Sequence, residues 1–307
     1  MIRYIVLRSL QAFLLVVAIT LVVFVILRVT AGDPARVRAP VFARPDVIEE
    51  YRKEFGTDKP IYEQLGTFVA GIPRGDLGDS FRYQKPVFDL IVERLPRTLQ
   101  LAFAALVIAT VTATVLGVLS ARRPGSAVDR LSSLLAVAGQ SAPVFWVGLV
   151  LIFFFSVRYT LFPAGGYGGW KSLVLPAVAV ALSILPTELR VLRASMRTEL
   201  QQDYVRTARA SGLSERRINF IYALRNACLP LLTVIGIDVG YLLGGAIVAE
   251  VVFNMPGIGQ LALEALNARD YPLVQGITIV TASIFVLMNL LIDILYLFVD
   301  PRIRLNA

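Results

Sequence analysis

The chain has 307 residues, 56% hydrophobic and only 17% charged, with a mean hydropathy of +0.69. Soluble domains carry about 25% charged residues, so an ordinary water-facing surface is excluded and lipid is the solvent this composition matches. The net charge of +8 sits on arginines gathered at the ends of apolar runs, which excludes a nucleic-acid patch, while zero His and the single Cys228 exclude His-based catalysis, His-ligated metal and any intrachain disulfide.

A bilayer core of about 30 Å takes about 20 apolar residues in a helix. Six stretches predict such spans. Residues 9–27 form the first; Arg3 and Arg8 precede it as they would a signal peptide, but the run is too long and lacks a small-x-small cleavage site, so an uncleaved span is expected. The others are 98–121, 131–157, a short 172–189 carrying Pro176, Pro186 and Glu188, 227–249 interrupted by Asp238, and 271–299. Positive charge is retained on the cytoplasmic side of short loops. With the N-terminus inside, those inner segments carry Arg3, Arg8, Arg122, Arg123, Arg130, Arg190, Arg193, Arg197, Arg206, Arg209, Arg216, Arg217, Arg225, Arg302 and Arg304. The short outer loops carry Arg158, Lys171 and Arg269. This fivefold bias places both termini in the cytoplasm.

The segment 29–95 is predicted to be folded and extracytoplasmic. Asp46-x-x-Glu49 matches a capping box. Val47, Tyr51 and Phe55 follow at helical spacing, with Gly56 placed for a C-terminal cap. A second helix is expected over 61–69, and Gly71, Pro73, Gly75 and Gly78 then demand turns.

The inner loop after the fourth span reads Asp203-Tyr204-Val205-Arg206-Thr207-Ala208-Arg209-Ala210-Ser211-Gly212-Leu213-Ser214. It favours helix up to Ala210, with Arg206 and Arg209 on one face and Tyr204, Ala208 and Ser211 on another. Gly212 breaks it and Ser214 can cap the next helix. Two readings are open on pattern alone: a helix set in a partner's groove, or an interfacial helix with arginines on lipid headgroups.

This loop resembles the EAA loop of permease subunits in bacterial ABC importers. Arg206-Thr207-Ala208, Gly212 and Leu229-Pro230 occupy the matching positions. The first Glu is replaced and the interval to Leu-Pro is longer, as in the dipeptide/oligopeptide/nickel branch. Ala31-Gly32-Asp33-Pro34, Gly75-Asp76-Leu77-Gly78-x-Ser80, Glu93-Arg94-Leu95-Pro96-x-Thr98-Leu99, Leu242-Leu243-Gly244-Gly245, Phe253-x-x-Pro256-Gly257-x-Gly259 and Asp300-Pro301-Arg302-Ile303-Arg304 are similar to that branch in the same order.

The resemblance implies an all-α membrane protein with the six-helix type I ABC importer permease fold and a small extracytoplasmic insertion after helix 1. It implies a first helix over 1–28, the outer segment 29–95, a permease domain 96–300 with coupling loop 198–225, and a cytoplasmic tail 301–307. A second homologous permease, two cytoplasmic ATPase subunits and an extracytoplasmic binding protein would complete a complex in the bacterial inner membrane. Asp203, Tyr204, Arg206, Thr207, Ala208, Arg209, Gly212 and Leu213 would couple to the ATPases. The implied cargo is a di- or oligopeptide, with nickel, glutathione or a short oligosaccharide as alternatives, and a non-transporting sensor or scaffold as a further one. ATP and Mg are expected in the partner subunits, with no cofactor, metal or catalytic group here. None of Lys53, Lys59, Lys85 or Lys171 follows a glycine, so the chain has no P-loop.

Charge within a span needs a reason. Asp238 lies in Gly236-x-x-x-Gly240-x-x-x-Gly244, a ridge that admits a close neighbour. It either lines a pathway, with Gly240, Gln140, Ser141 and Asn289 as companions, or bonds to Asn289 or Gln140 as a helix–helix contact. Glu188, Arg190, Glu250 and Asp293 fall near span ends and are assigned no chemistry. Gln140-Ser141-x-Pro143 is expected to bend the third span. No paired carboxylates at one depth, as a membrane-embedded enzyme needs, are evident.

Overall fold

The computed structural model describes residues 2–30, 33, 35–36, 39–40 and 42–299; side chains are described outside 2–5, 28–30, 54, 243–245, 293 and 295–299. Among the described residues every regular element is helical. In chain order these are α1 (Ile2–Thr30), α2 (Pro45–Glu54), α3 (Ile61–Gly71), α4 (Val87–Arg122), α5 (Ala127–Ser141) and α6 (Val144–Leu151), the last continued by a π-helical stretch Ile152–Arg158. Then come α7 (Trp170–Glu199), α8 (Asp203–Ala210), α9 (Leu224–Val252), α10 (Ile258–Asn267) and α11 (Tyr271–Val299). A short helical lead-in, Glu215–Arg217 then Ile218–Ala223, runs into α9.

Among the described residues five helices are long and apolar enough to cross a membrane, and counting the bent pair α5 and α6–Arg158 as one span brings the number to six. The expected bend in the third span is a break of 109°. Ala142 precedes Pro143, so helical backbone is disfavoured there, and it takes φ −87° and ψ 121°. The fourth span is longer than its apolar run. Arg193 and Arg197 extend α7 because both reach the buried carboxylate of Asp129, Arg193 at 2.5 Å and Arg197 at 3.2 Å.

The chain divides into two compact units. One comprises Thr98–Met255 and the stretch from Met288. Its core is built on α7, whose Ala177, Val180, Ala181, Ile184, Leu185 and Leu189 meet Leu101, Ala105, Ala109 and Ala113 of α4 and Leu242, Ala246 and Ala249 of α9. The small residues let backbones approach closely. At Gly139 of α5 an added Cβ would lie 2.7 Å from the Leu182 carbonyl, so no larger residue fits. Asp129 also accepts the Gly125 amide at 2.9 Å, closing the α4–α5 turn. Asp129→Ala removes all these partners and is expected to cost about 1–3 kcal/mol of stability, read as a lowered Tm in detergent; Asp129→Asn should lose less.

The other unit comprises Ile2–Arg97 and Pro256–Leu287. Leu77, Val87, Leu90 and Ile91 pack with Ile258, Leu261, Ala265, Leu273 and Ile277. Asp270 is fully buried and takes the Ser80 hydroxyl at 2.5 Å and the Arg82 amide at 3.0 Å, which fixes the Gly75–Ser80 turn sequence onto the α10–α11 corner. The capping box is not formed. Pro45 starts α2 after Arg44, and Asp46 pairs instead with Arg44 at 3.1 Å while Glu49 pairs with Arg52. Proline is pre-set for the first helical position, which moves the start one residue ahead of Asp46. Gly56 does take the left-handed conformation, with φ +63°. The Ala31-Gly32-x-Pro34 part of the first quoted motif, and the sequence from Asp300, lie outside the described residues.

Candidate functional site: the loop after α7

From Glu199 the chain turns through Leu200–Gln202 into α8, and Asp203 in its first turn suits the positive end of the helix dipole. The far end of α8 is closed by a Schellman motif. The Leu213 amide donates to the Ala208 carbonyl at 3.2 Å and the Gly212 amide to the Arg209 carbonyl at 3.0 Å, with Gly212 at φ +76°. The motif's apolar contact is present too: Leu213 and Tyr204 pack on Val205, Ala208 and Ile218.

Ala208 therefore points inward. The face of Tyr204, Ala208 and Ser211 is the one α8 turns on its own protein, and only Ser211 of that set is exposed. Helical amphipathicity explains this: Val205 and Ala208, three apart, are the apolar pair of an otherwise polar segment. Asp203, Arg206, Thr207, Arg209 and Gly212 form the exposed side, with Arg206 pairing to Asp203 at 3.3 Å and Arg209 to Glu215 at 2.8 Å. Ser214 stands at the start of the next helix, but its side chain makes no capping bond.

Glu199 and Asn226, which carry no motif in the sequence, hold the loop to the bundle through Tyr204. The Tyr204 hydroxyl donates to the Glu199 carboxylate at 2.6 Å, and the Asn226 amide reaches the same oxygen at 3.5 Å. One carboxylate thus joins α7, α8 and α9. Burial, then donation to Glu199, raises the Tyr204 phenol above its ordinary value. Tyr204→Phe should loosen this joint by about 0.5–1.5 kcal/mol and lower coupled transport several-fold without loss of membrane-inserted protein, as measured by uptake normalised to immunoblot.

The intramembrane polar set is rearranged relative to expectation. Asp238 lies beside Glu188, and among the described residues no hydrogen bond joins it to Asn289 or Gln140. Glu188 is fully buried and accepts the Thr110 hydroxyl at 3.1 Å, so α4, α7 and α9 meet at one polar point. Helical turns past its apolar run carry α7 on to Glu199, and Glu188 is packed inside the bundle. These are the paired carboxylates that were not evident in the sequence. Both are enclosed: Glu188 has no exposed surface and Asp238 is 8% exposed. Gln140 instead accepts from Arg190, and Ser141 donates to the Val137 carbonyl at 2.9 Å. Glu250, also buried, accepts the Thr98 hydroxyl at 2.6 Å. On the glycine ridge, Gly236 lets Ile292 of α11 approach, an added Cβ lying 3.1 Å from it. Gly240 and Asn289 are half-buried, and the surroundings of Gly244 and the side chain of Asp293 lie outside the described residues.

Long apolar helices, a broken third span and a helical loop fixed between two long spans make an all-helical membrane fold of the type I ABC importer permease kind. The chain belongs to the family described as binding-protein-dependent transport system inner membrane component, which matches residues 113–305, with that family's N-terminal region matching 1–102. It is 36% identical to a probable peptide ABC transporter permease protein of Sinorhizobium fredii, covering 98% of this chain and 99% of that one. It is 36% identical to the glutathione transport system permease protein of Escherichia coli K12, covering 99% of each chain. The dipeptide transport system permease protein of the same strain is 37% identical, covering 94% of each. Among solved structures, a chain of the inward-facing MetNI methionine ABC transporter shares the fold, with a TM-score of 0.56 at 20% identity over 69% of this chain and 96% of that one.

Proposed function

We propose that this chain is one of two permease subunits in an importer of di- or oligopeptides, and that the loop 198–225 is where an ATPase subunit grips it. The observation that carries the reading is the construction of α8: a polar exposed face on a helix locked by Gly212 and tied by Tyr204 to Glu199 at the end of α7. A load on that face is passed to two long spans with little slack. A second, homologous permease, two ATPases supplying ATP and Mg, and an extracytoplasmic binding protein complete the assembly. The positive-inside bias puts both termini and the loop in the cytoplasm and the segment 29–95 outside, with 96–300 as the permease domain.

Peptide cargo is supported by the relatives named for peptide and dipeptide transport, and glutathione, itself a small peptide, by the third. Nickel and short oligosaccharides remain rival cargoes. Competition separates them: uptake of labelled dipeptide by cells expressing the full system should fall with unlabelled peptide or glutathione and be unaffected by nickel or oligosaccharide. The reverse pattern overturns the cargo assignment. A sensor or scaffold would give no uptake at all.

A further inference from the structure

Arginines from three helical ends converge beside the coupling loop. A cavity of about 570 Å³ is lined by Arg122 and Arg123 at the end of α4, Arg197 near the end of α7, Arg209 of α8, and Glu215, with Ala121, Pro124, Leu200 and Gln201 between them. Four guanidinium groups face one carboxylate. Two of the four are already answered: Arg197 by Asp129 at 3.2 Å and Arg209 by Glu215 at 2.8 Å. Arg122 and Arg123 are exposed, and among the described residues no carboxylate forms an ion pair with either. The charge of Arg122 does reach Glu215 through space, which draws it into the same cluster.

The turn carrying these two arginines is closed by its own hydrogen bonds. Gly125 takes φ +77° and gives its amide to Asp129 at 2.9 Å, while the Ser126 amide bonds the Arg123 carbonyl at 3.2 Å. Guanidinium groups held at a concave surface by helix ends suit a phosphate, which Arg binds through paired, charge-assisted hydrogen bonds. Basic pockets between the ends of membrane helices take acidic lipid headgroups in this way. The volume fits a phosphodiester with its glycerol.

We propose that this cavity is a phosphate-binding site, filled by an acidic phospholipid headgroup or by free phosphate, with Arg122 and Arg123 as its principal ligands. Because Arg209 belongs to the loop and Arg197 to α7, the occupant ties α4, α7 and the loop together. The site is independent of the cargo, and its test uses neither uptake nor ATP hydrolysis, so failure here leaves the transport reading standing.

The purified full chain in a neutral detergent is heated with phosphatidylglycerol, with phosphatidylcholine, or with inorganic phosphate against chloride at equal ionic strength. A rise in Tm with phosphatidylglycerol alone supports the site and assigns the lipid; a rise with inorganic phosphate as well supports it and assigns the free anion. The Arg122→Gln/Arg123→Gln double variant should weaken the response at least about tenfold in midpoint concentration. Arg122→Lys/Arg123→Lys, which keeps charge without the bidentate fork, should weaken it less, and Arg130→Gln, outside the cavity, should leave it intact. No response to either phosphate source overturns the proposal, as does an unchanged response in the Gln double variant. An equal loss in Arg130→Gln overturns it too, by reducing the effect to general surface charge. If the Gln pair does not fold, the Lys pair decides alone: a response as strong as the native one contradicts the site.

Discussion

Replacing Gly212 with proline should reduce ATP-driven uptake to background while the protein still inserts and accumulates in the membrane. Proline holds φ near −65° where the chain needs +76°, and it deletes the amide that donates to the Arg209 carbonyl. Either change opens the Schellman closure, and together they cost about 3 kcal/mol or more locally. An added Cβ at Gly212 meets nothing within 4 Å, so the loss comes from backbone geometry and not from a clash. That gives the series a graded form. Asn, which tolerates the left-handed region, should retain most uptake, and Ala should fall between, at about 1 kcal/mol. A Pro variant with native uptake would remove the loop's closure from the coupling mechanism. Ala208→Glu should also abolish uptake, by a different route. It forces a carboxylate among Val205 and Ile218, unseating α8 from its own protein.

The second large effect is expected at Glu188. Leu there leaves the Thr110 hydroxyl without its acceptor and sets an apolar side chain beside the buried Asp238 carboxyl in the packed centre of the bundle. An unsatisfied buried polar group costs about 1–3 kcal/mol, so the two together should lower the Tm markedly and reduce the yield of folded protein. Glu188→Gln is the informative companion. Its amide oxygen can still accept from Thr110 while its NH₂ donates to Asp238, and the cost should stay under about 1 kcal/mol. Equal destabilisation by Leu and Gln would contradict a hydrogen-bonded joint at this point. Thermal denaturation of both variants in one detergent supplies the comparison.

The spans were legible because the bilayer imposes a length and a composition that no tertiary contact overrides. The break at Pro143 was legible as a bend but not as a 109° turn, since the restriction on Ala142 says that the helix stops and not where it goes next. Gly212 was readable as a helix stop because left-handed backbone has so few tenants. The inward face of α8 was not readable, because Val205 and Ala208 find their partner in Ile218, beyond the turn. The Glu188–Asp238 pairing joins residues 50 positions apart on different helices, and hydropathy carries no register between helices. Glu188 also looked like a span-end charge only because the apolar run stops before α7 does. Asp46 shows the local limit: a capping pattern lost to Pro45, whose fixed φ starts the helix first.

The most direct test of the account is reconstitution of this chain with its second permease, the two ATPase subunits and the binding protein in liposomes, followed by labelled dipeptide uptake. Accumulation should require ATP on the side of the Arg206–Gly212 loop and binding protein on the opposite side, and should disappear with Gly212→Pro. Uptake that proceeds without ATP, or that is unchanged by Gly212→Pro, would contradict it.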